Sequence, residues 1–394
     1  MSSSAPAHVL IVGGGGTGGA LAHDLTQRGL KVTLVERGEF TSGTTGRHHG
    51  LLHSGARYAV GDKESAIECI EENMILRRIA PGSFEENDGL FVAITDEDMA
   101  YHEDFVRSCK ECGIPVEELR PDEALRLEPL LSPDLKAAVR VPDATMDAMR
   151  MPLRFFATAQ QNGAELVNYL EVVGLLVHDG VVSGAAVRDR VTRQEREIHA
   201  DLTINATGPW SEKIAAMAGV DVPIRPSPGV LLALRGRLCN MVVNRMHKSG
   251  DGDIVVPQRG LSIVGTSSWT VEDPDDLDVP EDHVARMIEE GSKLIPAVRH
   301  AEFRAAWSAA RPLIGSRGDA DTGRELSRTF KTFDHAETDA LEGFVTITGG
   351  KGTTLRGMAE LCADVVCRKL GIDARCRTRD TVLLPHTAFY APAR

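Results

Sequence analysis

The chain has 394 residues, more than one hydrophobic core usually supports, so two domains sharing an interface are expected. Its formal net charge of −13, with no basic stripe, argues against nucleic-acid binding, where phosphate neutralisation dominates, and means that an anionic substrate must be held by a local cluster. No apolar run approaches the roughly 18 residues that span a bilayer, and MSSSAPAH lacks the basic and apolar regions of an export signal. A cytoplasmic location is expected, with membrane contact only peripheral or through a partner.

Residues 8–37, HVLIVGGGGTGGALAHDLTQRGLKVTLVER, read as strand, turn, helix and second strand in one pass. His8–Val12 is apolar, Gly13, Gly15 and Gly18 have dinucleotide-fingerprint spacing, and Leu21, Leu25 and Leu30 supply an apolar stripe. Gly13 permits the tight turn, Gly15 lets the backbone approach a pyrophosphate, and Gly18 lets the helix lie close on the sheet, so the helix N-terminus faces the phosphates. Lys31–Val35 is the second strand. Glu36 ends it about twenty residues past the last fingerprint glycine, where a carboxylate accepts from a ribose hydroxyl. The fingerprint itself does not choose between FAD and NAD.

Glu39–Tyr58 is rich in Gly, Ser, Thr and His and is expected to be a loop and helix start around the rest of a cofactor or a substrate, anchored by Leu51 and Leu52. A helix is predicted over 62–80, a strand over Gly89–Ile94, and helices over 96–112 and Pro121–Leu127. A strand follows at Val139–Pro142 and a helix at 149–162. Glu165–Tyr169, Val172–Val177 and Val181–Asp189 read as a three-strand meander turning at Asp179 and Gly180. Leu202–Asn205 is a buried strand ending in the small residues Ala206–Gly208, at the edge where doubly wound sheets bind ligands.

Trp210–Met217 is a helix. Val230–Leu234, Asp253–Val256 and Leu261–Thr266 argue for a large, mainly antiparallel sheet. A helix over 280–294 and strands over 302–309 and 326–333 follow. Phe344–Thr348 is a strand, and Thr353 or Thr354 caps a helix running to Lys369, with Gly371 past its end. That second helix N-terminus is expected on the same sheet face as the first. The seven cysteines are read as free thiols, including the CxxC at Cys109 and Cys112, and no metal site is expected.

The stretches VGGGGTGGALAHDL with Glu36, TGRHHGLLHSGARYAV, INATGPW, GDIVVP, VGTSS, ARPLIG, LSR, DHAE and ITGGKGTTLRGMAE together resemble the FAD-dependent glycerol-3-phosphate dehydrogenases of the D-amino-acid-oxidase-like flavoprotein superfamily, in particular the anaerobic A-subunit type. The resemblance implies an α/β fold with a Rossmann-like FAD-binding domain and an α+β substrate domain carrying the large sheet. Residues 1–83, 148–218 and 336–394 would form the first domain, and 84–147 and 219–335 the second. It implies a dehydrogenase that passes electrons to quinone or an electron-transfer partner protein, takes a small anionic substrate such as a phosphorylated polyol or hydroxy acid, and forms an oligomer in some settings.

Carried over by position, the resemblance implies that Gly13, Gly15, Gly16, Thr17, Gly18, Glu36 and Arg37 hold the ADP half of FAD. Thr44, Thr45, Gly46, His49, Gly50 and Leu51 would line pyrophosphate and flavin, Val172 would meet adenine, and Ala206, Thr207 and Gly208 the cofactor's middle. Gly350, Lys351, Gly352, Thr353 and Thr354 would sit at the flavin pyrimidine edge. Arg311 and Arg328 would bind phosphate or polarise the substrate, with Lys351 beside them. Oxidising a secondary alcohol needs an acceptor for the hydroxyl proton and cations for a phosphate, and His53, His49 and Lys351 are the candidate acceptors. His49, Arg57, Arg245 and Lys248 are the further substrate-binding candidates. Pro228, Gly229 and Val230 stand where the family usually has Lys-Gly-Ser, which would take a cation and a hydroxyl from the pocket wall. Arg245, His247 and Lys248 are candidate replacements, and another polyol phosphate, hydroxy acid or amine is the alternative substrate. The Cys-rich iron–sulfur extension of the family's anaerobic members is not expected after the last helix, nor is electron exit by that route.

Overall fold

A computed structural model describes residues 5–315, 326 and 328–391. The fingerprint segment folds as its pattern dictates. His8–Val12 and Lys31–Val35 pair in parallel and are joined by the helix Gly16–Gln27. They sit inside a six-stranded sheet in the order 330–334, 344–349, 202–205, 8–12, 31–35, 165–167, parallel except for its first strand. The helices Gly16–Gln27, Arg150–Gln161 and Leu355–Lys369 cover one face and bury Leu21, Leu25, Phe155, Phe156, Leu355 and Val366 against Val9, Ile11 and Ile204. Leu30 joins this core from the turn, because the helix has ended at Gln27.

The opposite face packs on a three-stranded antiparallel sheet, Leu170–His178, Val181–Asp189 and Glu195–His199, and on the short helix Ser211–Ala216. This corrects the expected meander. Glu165–Val167 leaves it to extend the parallel sheet beside Lys31–Val35, and Glu195–His199 takes its place. That strand was illegible because its sequence, EREIH, carries one buried apolar residue, Ile198. The turn at Asp179 and Gly180 forms as expected, with φ of 47° and 75°.

The second large sheet has eight strands in the order 303–314, 224–235, 261–265, 254–258, 242–245, 89–93, 137–141, 117–119. It is antiparallel except between Val242–Arg245 and Gly89–Ala93. Ile224–Arg235 is longer than expected because Pro226 and Pro228 disguise its first half. Those prolines lie opposite Pro312 and Ala310 of Phe303–Ile314. Phe330–Asp334 pairs with Phe344–Gly349 and so belongs to the first sheet, inside the stretch 219–335 expected for the substrate domain. Among the described residues no helix is long and apolar enough to cross a membrane, and all seven cysteines are free thiols.

Candidate functional site

Val12, Val35 and Ala206, at the C-terminal ends of three neighbouring parallel strands, border a cleft of about 1450 Å³ that runs from Glu36 and Val172 to the turn at Gly350–Gly352 and on beneath the eight-stranded sheet. That exceeds the roughly 300–1,000 Å³ of a drug-sized site and suits a dinucleotide with a substrate. Gly13 makes the cradle: at φ +111°, any Cβ there would stand 2.7 Å from the Ala206 carbonyl oxygen. The Glu36 carboxylate accepts the Gly14 N–H on one oxygen (2.7 Å) and the Gly38 N–H on the other (2.8 Å). A carboxylate has about four acceptor sites, so each oxygen keeps one for a vicinal hydroxyl pair. Thr45 Oγ1 accepts the Gly16 N–H (3.0 Å) across the start of the first helix.

Arg37 lies over the Trp210 ring (4.5 Å) and pairs with Asp275 (2.7 Å). Asp275 also accepts from Trp210 Nε1 (2.9 Å) and Lys213 (3.2 Å), while Asp273 takes Lys213 at 2.7 Å. An acidic strap from the large-sheet half is thus tied across the Glu36 end of the cleft.

At the other end, positive charge converges. Arg57, Arg311, Arg328, Lys248 and Lys351 all line the cleft, with His48, His49, His53 and Tyr58. Arg57 is held by the buried Asp253 (2.6 Å), and Lys351 Nζ by Glu68 (3.3 Å) and the Arg328 carbonyl (2.9 Å). Among the described residues no carboxylate is bonded to Arg311. It donates to the carbonyls of Ser227, Pro228 and Ser267 and to the hydroxyls of Ser227, Thr266 and Ser268. Burial, then the charges of Arg328 and Arg57, push its guanidinium down to about 9, still charged at neutral pH. Arg328 is lowered by burial too, and its Nη1 is buried without a hydrogen-bond partner among the described residues.

The three histidines divide by their bonds. His48 Nδ1 accepts the Gly50 N–H (2.9 Å) and His49 Nδ1 the Leu51 N–H (3.1 Å). A backbone amide only donates, so in both neutral rings the proton sits on Nε2. They are donors toward their surroundings. Burial holds His48 at about 4 and His49 well below its ordinary range. His53 is pushed down to about 3 by burial and then by Arg57 and Lys351. No hydrogen bond to its ring nitrogens occurs among the described residues, so it is the ring of the three with an open acceptor.

Most residues expected at the site meet there. Gly13, Gly15, Gly16, Thr17, Glu36, Arg37, Thr44, Thr45, Leu51, Val172, Ala206, Thr207, Gly208, Gly350, Lys351 and Gly352 border the cleft. Gly18, Gly46, Gly50, Thr353 and Thr354 stand behind its wall. Gly50, at φ +82°, lets Gln258 Nε2 reach the His49 carbonyl (3.1 Å), where a Cβ would collide. Thr354 occupies the N-cap position of the last helix but turns its hydroxyl back to the Lys351 N–H (3.1 Å). Arg245 is not in the pocket: it is bound to Asp98 (3.0 Å) on the far side of the large sheet, its strand alternation pointing it away. Val230 is 0% exposed within the core of the same sheet, and Pro228 enters the site by its carbonyl bonded to Arg311. The departures at 228 and 230 therefore take no side chain from the pocket wall. Sequence reasoning missed Asp253, Glu68, Asp275 and Trp210; the first lies in the quoted GDIVVP stretch, but its partner Arg57 is 196 residues away.

A family model described as DAO, FAD dependent oxidoreductase, matches residues 8–365. The chain is 43% identical over 377 residues to an anaerobic glycerol-3-phosphate dehydrogenase chain of Escherichia coli K12, covering 95% of this chain and 69% of that one. It is 44% identical over 385 residues to an anaerobic glycerol-3-phosphate dehydrogenase chain of Haloferax volcanii, covering 95% and 66%. Among solved structures, glycerol-3-phosphate dehydrogenase from Bacillus halodurans complexed with FAD superposes with a TM-score of 0.74 at 23% identity, covering 97% of this chain and 68% of that one. The reduced L-alpha-glycerophosphate oxidase of Mycoplasma pneumoniae with FAD bound gives 0.76 at 19%, covering 96% and 99%. With a family model matched over residues 8–365 and relatives above 40% identical along 95% of its length, the chain belongs to the DAO family of FAD-dependent oxidoreductases, beside the anaerobic glycerol-3-phosphate dehydrogenases.

Proposed function

We propose that the protein oxidises sn-glycerol 3-phosphate at its secondary alcohol to dihydroxyacetone phosphate and passes the electrons to quinone or a partner protein. The observation that carries this is positive charge left without full compensation: among the described residues Arg311 has no bonded carboxylate and Arg328 keeps an unpartnered buried nitrogen, and both face one cavity. Buried charge without a partner is costly, and a phosphate dianion bonded to planar guanidinium forks removes that cost. When bound, FAD supplies the two-electron acceptor for the hydride leaving C2. Arg311 and Arg328 bind and orient the phosphate. His53 takes the hydroxyl proton at its open ring nitrogen, while His48 and His49, protonated at Nε2, serve as donors. Lys351, donating to Glu68 and the Arg328 carbonyl, acts as a cation and not as a base.

The names of the relatives support the substrate, and so does the intact pocket wall at Pro228 and Val230. Anaerobic titration of the purified flavoprotein tests it: glycerol 3-phosphate should bleach the visible flavin band stoichiometrically, and glycerol, 2-hydroxy acids and amines should not. Bleaching by one of those with none by glycerol 3-phosphate would reject the proposal.

A further inference from the structure

His53 follows a strand of only two residues, Leu51–Leu52, so the sheet ladder does little to fix it. Side chains from three separate elements hold it instead. Thr353, just before the last helix, accepts the His53 N–H on Oγ1 (3.1 Å). Asn73, on the helix Lys63–Ile79, donates from Nδ2 to the carbonyls of His53 (3.1 Å) and Leu52 (3.3 Å). Asp143, beside the strand Ala144–Met146, accepts the Ser54 N–H (2.6 Å). Arg77 Nε donates to Asn73 Oδ1 (2.8 Å), which fixes which way the amide faces. Asn73, Asp143 and Thr353 are 0%, 2% and 1% exposed, and none of them or Arg77 lines the cleft.

We infer that Thr353 and Asn73 are positioning residues that grip the His53 peptide from both sides and so aim its imidazole between Arg57 and Lys351. The resemblance had placed Thr353 against the cofactor; here its hydroxyl ties the Gly350–Thr354 turn to the proton-accepting histidine. This rests on His53 being the proton acceptor, and a proton transfer needs heavy atoms within about 2.6–3.2 Å, so a small swing of the ring is expensive in rate.

Thr353→Val keeps the shape and removes the acceptor; Thr353→Ser keeps the acceptor. With turnover expressed per bound flavin, Thr353→Val should lower kcat about tenfold or more, leave the substrate KM within about twofold, and raise the solvent deuterium isotope effect, whereas Thr353→Ser restores all three. Asn73→Leu reaches the same peptide from the other side and should give the same signature. In a His53→Gln background Thr353→Val should cause no further loss, because its effect runs through the ring. Independently of turnover, the ¹⁵N imidazole signals of His53 should be single in wild type and Thr353→Ser and broadened or multiple in Thr353→Val. Equal losses with and without His53, or unaltered imidazole signals in Thr353→Val, would overturn the inference. If His53→Gln alone keeps wild-type kcat, the proton-acceptor role falls; the positioning then stands or falls on the imidazole signals.

Discussion

Arg311 donates to six oxygens and, among the described residues, meets no carboxylate, an arrangement that fixes a guanidinium's direction while leaving its charge uncancelled. Arg311→Ala should therefore lower kcat/KM for a phosphorylated substrate about 100-fold or more, in line with the roughly 2–5 kcal/mol lost when one member of a buried charge pair is truncated. Flavin content should stay unchanged, and a loss confined to flavin content would contradict the assignment. The buried histidines make a separate prediction about stability. His23, His48 and His53 titrate at about 4, 4 and 3 in the fold, against an ordinary 6.5. Below pH 6.5 the unfolded chain binds protons that the native protein refuses, so each group removes stability as pH falls, by up to about 1.4 kcal/mol per unit. Asp143, raised by burial to about 6, opposes them, because the native state keeps a proton there that the unfolded chain loses above its ordinary 3.8. His49, lowered by burial as well, joins the three, while burial raises Asp24, Glu68, Glu72 and Glu128 in the same sense as Asp143; the histidine loss sets in from pH 6.5, the carboxylate gain only as pH falls to each raised value. The melting temperature of FAD-saturated protein should fall between pH 7 and 5. His23, whose two ring nitrogens are buried without partners among the described residues, does not line the cleft. His23→Leu should flatten the slope by about one proton and raise stability at pH 7, and a slope untouched by it would show that His23 is protonated in the fold.

Between elements, the acidic strap draws Arg37 onto Trp210 and Asp275 at the edge of the cleft. Its partner Asp275 comes from the large-sheet half, and the two side chains are 39% and 46% exposed, so the pair contributes at most about 1 kcal/mol. Asp275→Asn should speed FAD release about two- to fivefold, followed by flavin fluorescence after dilution, and raising salt from 0.05 to about 0.5 M should accelerate release in wild type more than in the variant. Equal salt responses would mean that the strap plays no part in retention. This pairing was invisible in the sequence, as a contact between residues 37 and 275 has no local signature. Elements with strong local signals were legible: Pro121–Leu127 forms to the residue because proline starts it, and His8–Val35 because its glycines and apolar runs agree. Val242–Arg245 escaped notice, since a central strand of four residues offers too short an apolar run to separate from its neighbours. Arg245 went to the wrong side for the same reason, because without the strand its alternation could not be worked out.

At the scale of the molecule, the sequence made the two-sheet architecture legible, since a fingerprint with a terminal acid at one end and a second glycine turn before the last helix require one parallel sheet with both turns on its C-terminal edge. The crossing of the chain between halves was harder to see: Phe330–Asp334 returns to the first sheet only through pairing with Phe344–Gly349, which follows it. The cleft itself is walled by both halves, with Gly13, Glu36 and Gly350 from one and Leu231, Ile254 and Arg311 from the other. A ligand filling such a cleft binds the folded chain alone, so its binding free energy adds to folding stability as RT ln(1 + [L]/Kd). Apoprotein prepared by removing FAD should melt at a lower temperature, and each tenfold rise in free FAD above Kd should add about 1.4 kcal/mol. ADP, on the proposed placement confined to Gly13–Thr17, Glu36 and the wall at Val172, should give a smaller shift at equal concentration: its slope above Kd is the same, but its weaker affinity makes the shift begin at a higher concentration. A melting temperature independent of FAD concentration would mean that the cleft is not where the cofactor couples the two halves, whereas an ADP shift as large as that of FAD would place the coupling wholly at the ribose end.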